Sequence, residues 1–284
     1  MEVNKIYCEN CIDTMSKMPD GFVDVTVTSP PYDGLRTYNG YSFPFKDIAK
    51  ELFRVTKEGG VVVWVVGDAT VKGSETGTSF KQALYFKEIG FNLHDTMIWK
   101  KTNPTPVDPR IHRYTASFEY MFIFSKNKIN KNGVLCRIEC KTAGNIRGYT
   151  EHSSQLKKDG TKRTDRADKR LGKATKKTKI LDNVWINPLP NNKTGHPAVF
   201  PEQLANDHII SWSNEGDLVY DPFMGSGTTA KMAILNGRNY IGSEMSKEYC
   251  EIAEKRINEI SVEDMQKIVD ANEKLVKELE DAKD

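Results

Sequence analysis

Residues 217–229 read DLVYDPFMGSGTT, a short strand pattern followed by a glycine-rich turn and the start of a helix. In α/β proteins such a turn lies at the carboxyl end of a strand, where free N–H groups of the helix bind nucleotide-like ligands. Gly225 and Gly227 permit a tight turn and a close approach of the ligand. The stretch lacks the lysine of a phosphate loop and does not match GxGxxG, so it indicates a ligand that needs no phosphate grip.

An acidic residue after the next strand supports this interpretation. Tyr240–Gly242 has the pattern of a strand, and Glu244 follows it in YIGSEMS. A carboxylate at that position is well placed to accept hydrogen bonds from a ribose diol. The turn and Glu244 together predict a site for an adenosine-containing cofactor.

Strand and helix patterns alternate on both sides of a central basic segment, which predicts an α/β fold with a doubly wound, mostly parallel sheet covered on both faces. No internal repeat interrupts this alternation. The predicted strands are Asp24–Thr28, Val61–Val66, Leu93–Trp99, Phe118–Phe124, Asp217–Asp221 and Tyr240–Gly242. The predicted helices are Pro44–Thr56, Phe80–Ile89, Pro201–Trp212, Thr228–Asn236 and Lys247–Ile260.

The basic segment, residues 126–180, holds 17 Lys and Arg against 5 Asp and Glu, a balance of +12 in a chain of net charge +2. The remainder of the chain therefore carries −10. The segment is either a solvated, flexible insertion or a surface for a polyanion, and clustered cations favour nucleic acid through counterion release. Duplex DNA is the expected partner, with Arg137, Arg147 and Arg163 as candidates to read guanine edges.

A stiff corner follows the first predicted strand. In DVTVTSPPY, residues 24–32, the alternation ends at Thr28 and continues into Ser29, Pro30, Pro31 and Tyr32. Neither proline can donate a ladder hydrogen bond, and each favours extended backbone in the residue before it. The corner therefore presents a hydroxyl, carbonyl groups without ladder partners and an aromatic ring.

TSPPY followed far downstream by DPFMGSGTT resembles the amino-methylating DNA methyltransferases, which use S-adenosylmethionine to methylate exocyclic nitrogens of bases. The corner, the basic segment, HPAVFPEQL at residues 196–204 and the glycine turn follow one another in an order similar to the β arrangement of that family. The resemblance covers residues 6–260 and implies a seven-stranded type of sheet. It also implies a catalytic half (1–125), a target-recognition insertion (126–185), a cofactor-binding half (186–260) and a helical tail (261–284).

The same resemblance assigns candidate roles to individual residues. Ser29, Pro30, Pro31 and Tyr32 would hold the flipped target base, with Ser29 and the Pro30 carbonyl accepting the amino hydrogens and Tyr32 stacking on the ring. The cofactor pocket would be lined by Asn10, Cys11, Pro201, Asp221, Phe223, Gly225, Gly227, Thr228 and Glu244. Phe223 could equally be a core residue, and His196 a structural histidine.

The target base and the class of protein leave alternatives open. Ser at the first motif position is more typical of N4-cytosine enzymes than of N6-adenine enzymes, so N4-methylcytosine is the expected product. A methyltransferase for RNA or small molecules would need no such corner joined to a basic insertion. A non-catalytic DNA-binding module would leave the cofactor turn without a role.

The five cysteines are sparse and odd in number, which argues against a disulfide framework. A zinc site at Cys8, Cys11, Cys136 and Cys140 is the weaker alternative to reduced structural thiols, because no compact Cys/His cluster surrounds them. No apolar run approaches the roughly eighteen residues of a membrane span. We therefore expect a cytoplasmic protein with no metal; a cognate restriction endonuclease and a homodimer remain open as partners.

Overall fold

The computed structural model describes residues 1–31, 43–108, 110, 112–129, 137–139, 178–189, 201–261, 263–266 and 270, without the side chains of 137–139 and 178–179. Contacts divide the chain into two compact units. The first comprises Met1–Leu135 and Asp182–Asp270, and the second comprises Cys136–Leu181 and Ala271–Asp284. In the second unit, the described strands form a two-stranded antiparallel pair.

The strands in chain order are β1 (Lys5–Tyr7), β2 (Val23–Thr28), β3 (Thr56–Val66), β4 (Thr70–Val71), β5 (Ser74–Glu75), β6 (Asn92–Lys101), β7 (Phe118–Ser125), β8 (Arg137–Glu139), β9 (Thr178–Ile180), β10 (Val184–Asn187), β11 (Leu218–Asp221) and β12 (Asn239–Ser243). The helices are α1 (Cys11–Ser16), α2 (Phe45–Val55), α3 (Thr78–Glu88), α4 (Glu202–Trp212), α5 (Thr228–Leu235) and α6 (Lys247–Asn258).

The main sheet of the described residues has the order β1-β12-β11-β2-β3-β7-β6-β10. Strand β7 runs antiparallel to both of its neighbours, and every other pair in this sheet is parallel. The predicted mostly parallel α/β fold is confirmed, with eight strands in place of seven. Strands β4 and β5 form a separate small hairpin.

Helices cover both faces of the sheet. Phe86 of α3 packs against Phe124 of β7, with ring centroids 4.6 Å apart. Met121 of the same strand places its Sδ 3.4 Å from Nε2 of His208 in α4. Because residues 121 and 124 differ by an odd number along a strand, they point to opposite faces, so α3 and α4 lie on opposite sides.

The longest strand corrects one prediction from the sequence. Val61–Val66 is buried on both faces as predicted, but β3 already begins at Thr56, directly after α2. Residues 57–60, which the predicted ranges leave between a helix and a strand, lie within β3. A Cβ on Gly60 would lie 2.9 Å from the Asp24 carbonyl oxygen, so this glycine permits close approach of the neighbouring strand.

Two described strands of the main sheet and one short helix lie outside the predicted ranges, and the two small hairpins β4–β5 and β8–β9 are also additional. β1 and the short α1 precede β2, which corresponds to the first predicted strand. β10 pairs with β6 at the edge of the sheet. Of the four residues of β10, only Trp185 is buried. Among the described residues, none of the helices combines the length and the apolar character that a bilayer crossing requires.

Candidate active site

Apart from Pro201, which precedes α4, the described candidate residues of the corner and the cofactor pocket lie at or beyond the carboxyl ends of four adjacent strands. β1, β12, β11 and β2 are neighbours in that order and all pair in parallel, so their carboxyl ends meet at one edge of the sheet. The chain leaves these ends at Asn10, Glu244, Phe223 and Ser29, respectively. The order of strands along the chain reverses between β2 and β11, which is where open α/β sheets bind ligands.

Asp221, the last residue of β11, joins the corner to the glycine turn. Its Oδ1 accepts a hydrogen bond from Thr28 Oγ1 at 2.6 Å and from the Phe223 N–H at 3.0 Å. Its Oδ2 accepts one from Thr229 Oγ1 at 2.7 Å. Burial raises the pKa of the Asp221 carboxyl to about 6, and the three hydrogen bonds oppose that shift. The side chain predicted to line the cofactor pocket is thus 1% exposed and bonded to protein donors.

The corner itself follows β2 as the sequence predicts. Pro30 is buried, whereas Ser29 and Pro31 are partly exposed at the carboxyl edge. Thr28, the last residue of the strand, is paired with Trp64 of β3 on one side. Ser29 and the Pro30 carbonyl are therefore held at the end of a central strand, next to the glycine turn.

The two glycines of the turn are required for different reasons. Gly225 has φ +51°, and its N–H donates to Glu244 Oε2 at 2.9 Å. Gly227 has φ +81°, and a Cβ there would lie 2.9 Å from the Cβ of Ala253 in α6. Close approach at Gly227 therefore concerns the neighbouring helix, where the sequence had suggested a ligand.

Glu244 retains capacity for a ligand. Its carboxylate accepts from the backbone N–H groups of Gly225 and Ser246, at 2.9 and 2.8 Å, and it is only partly buried. Burial raises the pKa of this carboxyl, and the backbone donors oppose the shift. A carboxylate offers about four acceptor sites, so about two remain for a diol.

Asn10 and Cys11 lie beside Glu244 at the end of β1. The Glu244 N–H donates to the Tyr7 carbonyl at 3.1 Å, which links the two strand ends. The Asn10 side chain caps α1 by accepting from the Ile12 N–H at 2.9 Å. Cys11 is buried, and burial raises the pKa of its thiol to about 12, so it remains a neutral thiol at physiological pH.

Phe223 makes the core contacts that were one of the two roles expected for it from the sequence. Its ring packs 6.2 Å from Trp64 and 5.7 Å from Phe43, measured between ring centroids. It is nevertheless partly exposed, unlike the rest of the turn from Met224 to Thr228. The ring is therefore packed against the core, while the residue as a whole keeps some exposure.

A charged cluster that the sequence did not indicate is bonded to the glycine turn. Glu202, next to the buried Pro201, accepts from Lys231 Nζ and Arg256 Nη2, both at 2.8 Å. Arg256 also donates to Ser226 Oγ at 2.9 Å and to Thr228 Oγ1 at 3.4 Å. The cluster thus fixes the start of α4 against the turn and α6, and no local motif in the sequence marks Arg256 for this role.

Several predicted residues lie outside the described part of the chain. These are Tyr32, Arg147, Arg163, His196 and the side chain of Arg137. The described thiols of Cys8, Cys11 and Cys250 are free, and Cys136 and Cys140 also lie outside. No group of three or more His, Cys, Asp or Glu side chains in the described ranges could hold a metal ion.

Comparison with known proteins agrees with this architecture. A family model described as DNA methylase, for the N6/N4 type, matches residues 23–255. The orphan methyltransferase M.BamHII of Bacillus amyloliquefaciens is 56% identical over 245 residues, which cover 84% of this chain and 89% of that protein.

Two solved structures share the fold. The PvuII DNA methyltransferase, described as cytosine-N4-specific, superposes with a TM-score of 0.68 at 21% identity, covering 94% of this chain and 92% of that one. TTHA0409 of Thermus thermophilus, solved as a complex with S-adenosyl-L-methionine, gives a TM-score of 0.59 at 25% identity, covering 89% and 92%.

Proposed function

We propose that this chain, which belongs to the N6/N4 DNA methylase family, transfers a methyl group from S-adenosylmethionine to the exocyclic N4 of cytosine in duplex DNA. The observation that carries the proposal is the 2.6 Å hydrogen bond from Thr28 to Asp221. It joins the residue before Ser29 to the strand that leads into the glycine turn. A base-holding corner and a cofactor turn thus share one edge of the sheet.

S-adenosylmethionine fits the chemistry of this edge. Glu244 has about two acceptor sites left for a ribose diol, and the turn offers backbone without a phosphate-binding lysine. The complex of TTHA0409 with the same compound supports this assignment. Residues proposed to hold it are Asn10, Pro201, Phe223, Gly225 and Glu244. When bound, it supplies a methyl group on a sulfonium, which is a good leaving group.

The protein has to orient a weak nucleophile. The lone pair of an exocyclic amine is delocalised into the ring, so the amine must be held with its lone pair directed at the methyl carbon. Ser29 Oγ and the Pro30 carbonyl are proposed to accept the two amino hydrogens, with Tyr32 stacking on the extruded ring. The nitrogen would form the new bond to carbon as the carbon–sulfur bond breaks, the thioether S-adenosylhomocysteine would leave with the bonding electrons, and the nitrogen would lose one proton to water. Positioning supplies most of the acceleration in this proposal.

Recognition of DNA is proposed for the basic segment, residues 126–180. Its balance of +12 suits phosphate binding, and Arg137, Arg147 and Arg163 are the proposed readers of guanine edges. Flipping the base costs a few kcal/mol, which contacts of this kind offset.

Cytosine is proposed over adenine because of Ser29. A neutral hydroxyl accepts one amino hydrogen, and the resemblance associates Ser at this position with N4-cytosine enzymes. N6-adenine methylation is the second candidate, since the family model spans both reactions and the hydroxyl could serve either amine.

The product distinguishes the candidates. The protein is expressed in a host without DNA methylation, the DNA is digested, and the nucleosides are analysed by mass spectrometry, with Ser29→Ala as the matched control. We expect N4-methylcytosine from the wild type and a large loss from the variant. N6-methyladenine alone would overturn the choice of cytosine. A folded protein that binds S-adenosylmethionine and modifies no DNA would overturn the function.

A further inference from the structure

Two threonines on β2 have the same burial and different hydrogen bonding. Thr26 and Thr28 are two residues apart, so their side chains point to the same face of the sheet, and both are 0% exposed. Thr28 Oγ1 donates to Asp221 Oδ1 at 2.6 Å. Thr26 Oγ1 has no hydrogen-bond partner among the described atoms. The hydroxyl of Thr28 therefore makes an interaction that burial alone does not require.

The Thr28 hydrogen bond lies where the backbone pairing between β2 and β11 has ended. The registered pairs of these strands are Val219 with Val25 and Tyr220 with Thr26. Thr28 is two residues beyond the last pair and directly precedes Ser29. The side-chain bond thus continues the connection between the two strands up to the corner.

The same carboxylate extends the connection into the glycine turn. Its remaining bonds reach the Phe223 N–H and the Thr229 hydroxyl in the first turn of α5. Thr229 Oγ1 also lies 3.3 Å from the carbonyl oxygen of Val27, so α5 contacts β2 directly. One carboxylate therefore connects the end of β2, the turn and α5.

We propose that Asp221 is a positioning residue, which holds the base-binding corner in register with the cofactor turn and thereby sets the rate of methyl transfer without setting cofactor affinity. This inference rests on the function proposed above. It differs from the role in cofactor binding that the sequence resemblance implies, because the Asp221 carboxylate directs its three hydrogen bonds at protein donors.

The physical reason is the geometry of the transfer. The acceptor nitrogen is held by the corner, and the methyl donor is held by the turn. A misplacement of the two by about 1 Å can cost on the order of a hundredfold in rate. The hydrogen bond between Thr28 and Asp221 restricts that displacement, whereas cofactor affinity depends on the residues that contact the cofactor and not on the corner.

The test removes one hydroxyl at a time. Thr28→Val deletes the donor to Asp221 at nearly constant volume, and Thr26→Val, on the same face of β2, is the matched control. The measurements are the single-turnover rate of methyl transfer to duplex DNA with radiolabelled S-adenosylmethionine, and cofactor Kd by calorimetry. We expect Thr28→Val to lower the rate about tenfold or more, with Kd unchanged, and Thr26→Val to change neither.

Conservative variants separate positioning from a general loss of structure. Thr28→Ser restores the hydroxyl and is expected to recover most of the rate. Asp221→Asn retains the Oδ1 atom that Thr28 donates to, so it is expected to lose less rate than Asp221→Ala. Melting temperatures establish that each variant is folded.

Each alternative result overturns the inference. A Thr28→Val protein with the wild-type rate shows that the bond does not control the corner. Weakened cofactor binding in Asp221→Asn, at unchanged melting temperature, shows that Asp221 contributes to cofactor binding, as the sequence resemblance implies. A wild-type protein that methylates no duplex DNA overturns the proposed function together with this inference, whereas loss of the inference alone leaves wild-type activity intact.

Discussion

The two ends of the β2–β11 strand pair are each joined by an aspartate, and the two aspartates are held differently. At the amino end, Asp24 of β2 accepts from the Leu218 N–H of β11 at 2.9 Å and pairs with Lys57 Nζ at 2.6 Å. At the carboxyl end, Asp221 of β11 accepts from Thr28 of β2. At the amino end, the side chain of Asp24 is 16% exposed and that of Lys57 is 44% exposed. At the carboxyl end, Asp221 is only 1% exposed. Its hydrogen-bond donors in the described ranges are neutral.

The difference shows where the fold tolerates an unfavourable burial. An ion pair open to solvent contributes little and costs little. A buried carboxylate held by neutral donors loses hydration, which the raised pKa of Asp221 records. Such a group is found at the end of the strand pair where the candidate site lies, which is where fixed geometry matters most to the chemistry.

The largest effect should come from the glycines that flank β11. Gly227→Ala combines a positive φ with a Cβ 2.9 Å from Ala253 Cβ, so we expect a loss of about 2–5 kcal/mol in the free energy of unfolding. Gly216→Ala, at φ +82° with open space around it, should lose about 1 kcal/mol. Denaturant unfolding of both variants measures the difference.

Ala253→Gly is the control for this contrast. It removes the atom that the new Cβ at position 227 meets. Combined with Gly227→Ala, it should therefore recover part of the lost free energy of unfolding. Combined with Gly216→Ala, it should recover none. Equal losses at the two glycines would mean that α6 yields easily, and that the turn is less constrained than its geometry indicates.

A smaller effect should appear in the dependence of stability on pH. The folded-state pKa of Asp221 lies near 6, above the ordinary 3.8, so the folded protein binds a proton more readily than the unfolded chain. The contribution of this group is therefore fully present below pH 3.8 and is lost as the pH rises through about 6, by about 2–3 kcal/mol in all. Asp221→Asn should show a decline that is smaller by this amount when the two proteins are compared by urea unfolding across that range.

The surroundings of Asp221 are compatible with a protonated carboxyl. A protonated Oδ2 can donate to Thr229 Oγ1, which then donates to the Val27 carbonyl 3.3 Å away. Three ionisable groups are neighbours of Asp221. The negative charge of Glu244 raises the pKa of Asp221, and the pKa of Glu244 is itself raised by burial. The raised pKa values of Cys11 and Tyr220 keep these two groups neutral in this range. Parallel pH curves for wild type and Asp221→Asn would contradict the prediction.

The smallest effect is expected at the amino end. Asp24→Asn keeps an oxygen for the Leu218 N–H and removes only the pairing with Lys57, so we expect a loss of about 0.5 kcal/mol. The single-turnover methylation rate should not change, in contrast to Thr28→Val at the other end. A clear fall in rate would show that the whole strand pair, and not its carboxyl end, positions the site.

The sequence predicted the elements well where local pattern determines them. α2, α4 and the buried core of β3 follow from apolar spacing, and the turn at 222–227 follows from its glycines and the strand before it. The start of β3 was missed because Gly59 and Gly60 normally end elements, whereas here Gly60 accommodates the backbone of β2. Strand β10 was missed because its four residues carry little pattern.

The connections within the site could not be predicted in the same way. Thr28 looks like an ordinary strand residue until Asp221, 193 positions later in the chain, is known to lie beside it. Arg256 belongs to a charged helix, and its bonds to Ser226 and Glu202 depend on how α6 packs. These roles arise from tertiary pairing, which periodicity does not encode.

The strand order also determines when the site can form during synthesis. β12 and β11 lie between β1 and β2 in the sheet, although Ile6 pairs with Gly242 across most of the chain. A nascent chain that ends before β11 contains the corner and no cofactor turn beside it. Closing so long a loop is slow and entropically costly, so we expect β1 and β12 to pair late in folding. The four strands that carry the candidate site therefore come together only after β11 and β12 have been synthesised.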